Sequence, residues 1–158
     1  WAFIPGDRED SIFLAEWYSL PVAAESSITD DDWALIAEAR NAVNKILEGK
    51  KEEGIQKSLE AEVTLFANDE LHDALAKLGD ELRFVLITSE ATLKTLNGQG
   101  GEATEVEGLQ LSVEKTVHTK CDRCWHHRCE VGTHTDHPEL CGRCVENVDG
   151  SGEQRLYA

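Results

Sequence analysis

Four cysteines carry the strongest chemical signal in the chain. They stand as two pairs, Cys121-Asp-Arg-Cys124 and Cys141-Gly-Arg-Cys144, with sixteen residues between the pairs. Each pair puts two sulfurs on one tight turn. Two such turns brought together present four thiolates at the corners of a tetrahedron, the closed shell of a structural zinc ion. The spacing assigns Cys121, Cys124, Cys141 and Cys144 as ligands of one zinc. Cys129 lies midway, on neither turn, and His118, His126, His127, His134 and His137 crowd the same region. One of these could replace a cysteine, but the four-cysteine set alone uses two matched turns. A catalytic zinc is the weaker reading, because catalysis needs an open position for water and four thiolates leave none. Four thiolates around zinc leave two surplus negative charges. Lys120, Arg123, Arg128 and Arg143 are placed to offset them, and Gly142 gives a backbone N–H room to approach sulfur. Trp125, directly after the first turn, either packs over the metal turn or stacks on a base. Packing is the plainer of the two.

Other residues that could do chemistry are better read as structure. Glu60 and Glu62 resemble an acid/base pair, but no His, Ser or metal ligand sits beside them in sequence, and they read as the solvated face of a strand. The Gly-rich stretch from Asn97 to Gly108 lacks the Lys-Ser/Thr of a phosphate-binding loop, and the strand and helix that flank a dinucleotide fingerprint.

The elements that must position the cysteines follow from periodicity. Residues 1–28 have no clear period; Pro5-Gly6 marks a turn, Ser11 to Leu14 a short extended piece, and the aromatics there suit packing against a neighbouring domain. Residues 29–48 form the best helix, capped by Thr29 with Asp30, Asp31 and Asp32 at its positive end. Trp33, Ile36, Ala37, Arg40, Val43, Asn44 and Leu47 mark its stripe. Its end falls near Gly49, with Lys50 and Lys51 complementing the negative pole. Leu59, Ala61, Val63, Leu65 and Ala67 alternate with polar neighbours as a half-buried strand. Asn68 caps a second helix carrying Leu71, Leu75, Leu78 and Leu82 to about Arg83. Phe84 to Thr88 reads as a strand, Ala91 to Leu96 is ambiguous, and Asn97 to Gly108 is a flexible linker. Leu109, Leu111, Val113 and Val117 form a strand leading into the metal site. The expected fold class is α+β, a helix/strand junction unit followed by a small four-cysteine zinc module. Residues 109–158 are expected to lose order without metal.

Charge narrows the partners. The chain has 158 residues and a formal charge of −16. Residues 1–110 hold 23 acids and 9 bases, whereas residues 111–158 hold 8 acids and 6 bases. Such a body repels a phosphate backbone over most of its surface, so any nucleic-acid contact must come from a local patch. No apolar run approaches the roughly 20 residues of a membrane helix. All five cysteines fall between 121 and 144, which suits a reducing compartment and a metal better than a disulfide scaffold. The chain has no Met and opens on Trp1, and it reads as a piece of a longer protein.

The residues around the cysteines carry a more specific likeness. The run Lys120-Cys121-Asp-Arg-Cys124-Trp125-His126, then Glu139-Leu140-Cys141-Gly142-Arg143-Cys144-Val145, then Gly152-Glu153-Gln154-Arg155, resembles the C-terminal end of bacterial isoleucyl-tRNA synthetases. Trp33 to Leu47, Ser58-Leu59-Glu60-Ala61 and Gly79-Asp80-Glu81-Leu82-Arg83 are similar to earlier stretches of that family. Gln56, where the family often has Gly, and Cys129 depart from it. The resemblance implies a cytoplasmic, monomeric class I ligase that uses ATP to activate isoleucine and load it onto tRNA. Its catalytic, ATP-binding and editing residues would all precede Trp1, so the segment would hold no catalytic residue. Residues 1–28 would end the helical anticodon-binding domain, 29–108 would be an α/β junction domain, and 109–158 the C-terminal zinc-binding module. The partners implied are tRNA and the rest of the parent chain, with no membrane. Lys120, Arg123, Trp125, His126 and Arg143 would supply the tRNA contacts.

Two other classes stay open. The same cysteine spacing occurs in the finger of formamidopyrimidine-type DNA glycosylases, which serves duplex DNA and suits a more basic body. A zinc-held protein-interaction module would suit the acidic body as well.

Overall fold

The computed structural model describes residues 3–21, 26–98 and 100–158. Trp1, and residues 22–25 within the first expected segment, lie outside it. Ahead of the first long helix, Ile12–Leu14 form one 3-10 turn where an extended piece was expected, because the Ser11 hydroxyl accepts the Phe13 N–H and closes it. Phe3, Phe13, Trp17 and Tyr18 are all largely exposed.

Helix α1 runs Asp30–Gly49. Thr29 Oγ1 accepts the Asp32 N–H at 3.2 Å and the Asp32 carboxylate accepts the Thr29 N–H at 2.7 Å, a reciprocal capping box. Lys77 Nζ adds an ion pair to Asp32 at 2.6 Å. Lys50 ends the helix, and its ammonium reaches Glu102 at 2.6 Å and Glu53 at 3.1 Å. It therefore answers carboxylates as well as the helix pole. The buried stripe is Ile36, Ala39, Ala42, Val43 and Leu47. It is rotated from the expected one, since Ala37, Arg40 and Asn44 face out and Trp33 keeps its edge exposed. The small side chains of Ala39 and Ala42 set the face of closest approach.

Strand β1 is Ala61–Ala67, with alternate residues buried as the sequence predicts. Helix α2 is Asp69–Ala76, capped by Asn68, whose side-chain oxygen accepts the Leu71 N–H at 3.1 Å. It does not continue to Arg83. Gly79 takes φ +51, a left-handed conformation that Gly reaches without strain, and a new short helix, α3, runs Leu82–Leu86. The expected strand over Phe84–Thr88 is therefore wrong. Leu82 and Leu86, four apart, are both buried on one face of α3, and that burial overrides the strand propensity of Val85 and Ile87. Ile87 then adopts φ 57, ψ 48, and its N–H bonds back to the carbonyls of Arg83 and Phe84. This turn feeds the chain into strand β2, Glu90–Thr95.

The Gly-rich stretch carries a two-residue strand, β3, Glu102–Ala103, and is followed by β4, Leu109–Lys115. The sheet order is β2-β1-β4-β3, with β1 and β2 parallel and the other pairs antiparallel. Val63, Leu65 and Ala67 oppose Val113, Leu111 and Leu109. That face meets α1, α2 and α3 in one core around Ile36, Val43, Leu75 and Leu86. The last helix, α4, is Gly142–Asp149. The fold is α+β, a mixed sheet under helices, followed by the cysteine-bearing segment. Among the described residues no helix is long and apolar enough to cross a membrane.

Candidate metal centre

The first cysteine pair sits on the tip of a narrow hairpin. Lys120 and His127 pair as an antiparallel bridge, and Arg128 donates its N–H to Thr119 O at 3.0 Å. Inside that bracket the Cys121 N–H bonds to His126 O and the Trp125 N–H to Cys121 O, each at 2.9 Å. The turn is so tight that Trp125 is forced to φ +68, a left-handed conformation uncommon outside Gly. The second pair opens α4: Cys141 is its N-cap and Cys144 lies in its first turn. Both cysteines therefore sit at the positive end of the helix dipole, which works against the burial that raises them.

The two turns meet. The four sulfurs of Cys121, Cys124, Cys141 and Cys144 all lie within 4.8 Å of one another, and Cys124 Sγ is 3.7 Å from Cys141 Sγ. A tetrahedral zinc with Zn–S bonds of about 2.3 Å needs sulfurs about 3.8 Å apart. Cys121, Cys141 and Cys144 are buried and Cys124 half-buried, around Leu140. Among the described residues this is the one cluster placed to hold a metal ion. None of the five nearby His joins it. His137 turns to Asp149 at 2.6 Å, His127 Nδ1 lies 2.8 Å from His118 O, and Cys129 is exposed beside Glu130.

Electrostatics explain why the cluster wants a cation. Burial alone would raise the Cys124 thiol, but hydrogen bonds from the His126 side chain, from Arg143 and from the His126 backbone outweigh it and hold it at about 5. Cys141 is pushed up to about 12, by burial first and then by the charge on Cys124. Burial also raises Cys144. Thiols this close cannot all ionise unless a cation lies between them. The donor set is soft and all sulfur, which selects zinc or an iron–sulfur cluster over magnesium or calcium.

The basic residues divide their work differently from the sequence reading. Arg123 Nη1 donates to Cys144 Sγ at 3.6 Å, and Arg143 reaches Cys124. Arg128 does not serve the sulfurs: it donates to Ser89 O at 3.1 Å and pairs with Glu90 and Glu130. A backbone N–H does approach sulfur here: that of Cys141 donates to Cys121 Sγ at 3.3 Å. Lys120 and Trp125 face a cleft of about 330 Å3, shared with Lys57, Leu59, Glu60 and His127. Trp125 is 61% exposed there.

This segment docks onto the sheet through residues that the sequence reading missed. The Ser89 hydroxyl is buried, accepts the His127 N–H at 2.6 Å and bonds onward to Leu59 O. Glu81 accepts the backbone N–H groups of Leu156, Tyr157 and Ala158, each at 2.7 Å. Arg143 and Asn147 converge on Glu153 Oε1 at 2.9 and 3.0 Å. Glu81 and Glu153 lie in the two stretches, Gly79–Arg83 and Gly152–Arg155, that carried part of the family likeness. Their juxtaposition had no local signal, because it depends on the path of the chain.

A family profile described as a zinc finger found in FPG and IleRS matches residues 119–147. Alone, it leaves the glycosylase and synthetase readings level. The isoleucine–tRNA ligase of Saccharophagus degradans is 50% identical over 160 residues, those of Pseudomonas aeruginosa 50%, and that of Nitrosococcus oceani 51% over 163 residues. Each alignment covers the whole of this chain. The chain is homologous, end to end, to one stretch of the isoleucine–tRNA ligases. It spans about 17% of the length of these relatives. The likeness therefore extends far outside the finger, through α1, the sheet and the segment before them, where a likeness confined to the finger would stop at residue 147.

Proposed function

We propose that this chain is the tRNA-holding, C-terminal part of an isoleucine–tRNA ligase. The parent would use ATP to activate isoleucine and attach it to tRNA, in the cytoplasm and as a monomer. This part would contribute no catalytic residue; it would keep the anticodon end of the tRNA in place so that the distant acceptor end reaches the active site, a gain from orientation. One structural zinc, held by Cys121, Cys124, Cys141 and Cys144, would lock the hairpin to α4. Residues 1–28 would complete a helical domain, 29–108 form the junction unit and 109–158 the metal module, with β4 as the shared strand.

The observation that carries the tRNA reading is Trp125. Its indole is exposed on a strained backbone position, in a cleft that also holds Lys57, Lys120 and His127. An aromatic face flanked by cations fits an unpaired base and its phosphates. Arg123, exposed beside this turn, and His126 and Arg143, both partly buried, would be further contacts.

Filter binding by the zinc-loaded protein tests this, with tRNA against duplex DNA. Trp125→Ala is expected to weaken tRNA binding about tenfold, the scale of one lost base–aromatic stack. Equal binding by Trp125→Ala would sink the stacking role. A preference for duplex DNA would favour the glycosylase-type reading, and binding of neither would favour a protein-interaction module.

A further inference from the structure

Where the metal segment meets α3, three guanidinium groups gather on one phenyl ring. The carbon centres of Arg155, Arg83 and Arg143 lie 4.1, 4.6 and 5.0 Å from the centroid of Phe84, all inside the range of cation–π attraction. The His126 ring meets the Phe84 ring edge-on, at 5.6 Å. Arg143 and Arg155 share one carboxylate oxygen, Glu153 Oε1, at 2.9 and 3.1 Å. Glu81 lies near Arg155, but it already accepts three backbone N–H groups. Arg83 differs from Arg143 and Arg155. It is half-buried, and among the described residues its guanidinium makes no hydrogen bond and no ion pair. Burial, then Arg128 and Arg143, lowers its pKa, although the carboxylates of Glu90 and Asp80 act the other way. A desolvated guanidinium with unused donors costs free energy unless an anion supplies acceptors. In a chain of formal charge −16, such a concentration of positive charge is a local exception.

We propose that this seam, formed by Arg83, Arg143 and Arg155 around Phe84, is a phosphate-binding site that takes a phosphodiester of the RNA backbone. The planar fork of Arg matches phosphate oxygens in pairs, and stacking on Phe84 holds the forks in place. The seam and the Trp125 cleft belong to successive residues of one turn, since His126 borders the seam and Trp125 the cleft. A strand whose base stacks on Trp125 would then run on toward the seam with a neighbouring phosphate. The inference rests on the tRNA reading and adds Arg83, Phe84 and Arg155 to it. It also gives Arg143 two duties, one toward Cys124 and one toward the ligand.

The test is a salt series of tRNA affinity for the zinc-loaded protein, unaltered and as Arg83→Gln, Arg83→Lys and Arg155→Gln. Removing one phosphate contact flattens the dependence of log affinity on log salt by about 0.7 to 0.9. Arg83→Gln is expected to bind about tenfold more weakly at fixed salt, with that flattening. Arg83→Lys is expected to keep the slope. A role confined to packing moves affinity without moving the slope, and that result overturns the proposal. If Arg83→Gln fails to fold, Arg155→Gln at its exposed position gives the same reading, and an unchanged slope there overturns it equally. Inorganic phosphate, titrated against the side-chain N–H signals of Arg83 and Arg155, separates the sources. Tight binding of free phosphate with tRNA affinity unaltered in every variant overturns the RNA assignment in favour of a small phosphorylated ligand. Absence of tRNA binding by the unaltered protein would overturn the reading of Trp125 as well, so the two failures are distinguishable.

Discussion

Removing the metal should divide the chain at Thr116. The metal segment has almost no apolar core of its own: besides its cysteines, Leu140 is the one hydrophobic residue buried in its cluster, with Val131 and Val145 partly covered. Burying one leucine contributes about 1.5–3 kcal/mol. Zinc bound by four thiolates in such modules contributes about 10–16 kcal/mol at neutral pH, so the ion outweighs the apolar burial several-fold. Without it, four sulfurs within 4.8 Å gain nothing from their proximity and Cys124 gathers charge that its neighbours resist. The expectation that order would be lost from residue 109 onward needs one change. Strand β4 is paired with β1 along its whole length, from Leu109 opposite Ala67 to Lys115 opposite Ala61, and the Thr116 N–H still bonds to Glu60 O at 2.8 Å. That strand belongs to the sheet core and should survive. The assay is a 1H–15N spectrum before and after a strong chelator, with loss of zinc checked by metal analysis. Amides of residues 119–149 should collapse to random-coil positions while those of 61–67 and 109–115 stay dispersed. Dispersed signals from 119–149 in metal-free protein would refute the reasoning, and so would collapse of the sheet along with them.

Two further outcomes follow from the body of the fold. Asp32 is held at about 2, first by its hydrogen bond to Lys77 and then by those from Thr29; since its folded pKa lies below the ordinary 3.8, its contribution is complete above about pH 4 and is lost as pH falls through 2. A carboxyl NMR titration should place its midpoint near 2, and a midpoint near 3.8 would contradict the capping geometry. A Cβ added at Gly101 would stand 1.7 Å from Leu111 O, so Gly101→Ala should push β3 off β4, costing about 1–3 kcal/mol, seen as faster hydrogen exchange at Leu111 with β1 unaffected.

What was legible in the sequence was whatever depends on short-range pattern. The Thr29 cap and the alternation of β1 and β4 sit where periodicity puts them, and two Cys-x-x-Cys turns announced a metal cluster. The misreadings have one origin. Phe84 to Thr88 has strand-forming residues, but its conformation is decided by Leu82 and Leu86 reaching a core built from α1 and β1, which lie far away in sequence. The stripe on α1 was rotated because the two alanines that allow close packing carry little hydrophobic weight in a periodicity count. Ser89, Glu81 and Glu153 were silent for the same reason: a buried hydroxyl and two carboxylates acquire meaning only when another part of the chain brings N–H groups to them.

The seam also explains how a structural ion can matter to a surface it does not touch. The Arg143 guanidinium is bonded to Cys124 and Glu153 and lies against Phe84. Its position in the positive cluster is therefore set by the turn that the metal holds. His126 couples the same two regions, since its ring meets Phe84 while its backbone carbonyl accepts the Cys121 N–H. Loss of the ion would free Arg143 and His126 together, and Arg83 would remain on α3 without the partners that make its charge useful. On this argument chelation and Arg83→Gln should not add: in metal-free protein, Arg83→Gln should lower tRNA affinity by much less than the tenfold expected with zinc bound, as a coupled pair does in a double-mutant cycle. A full tenfold loss in the absence of metal would show that the seam stands independently of the metal centre.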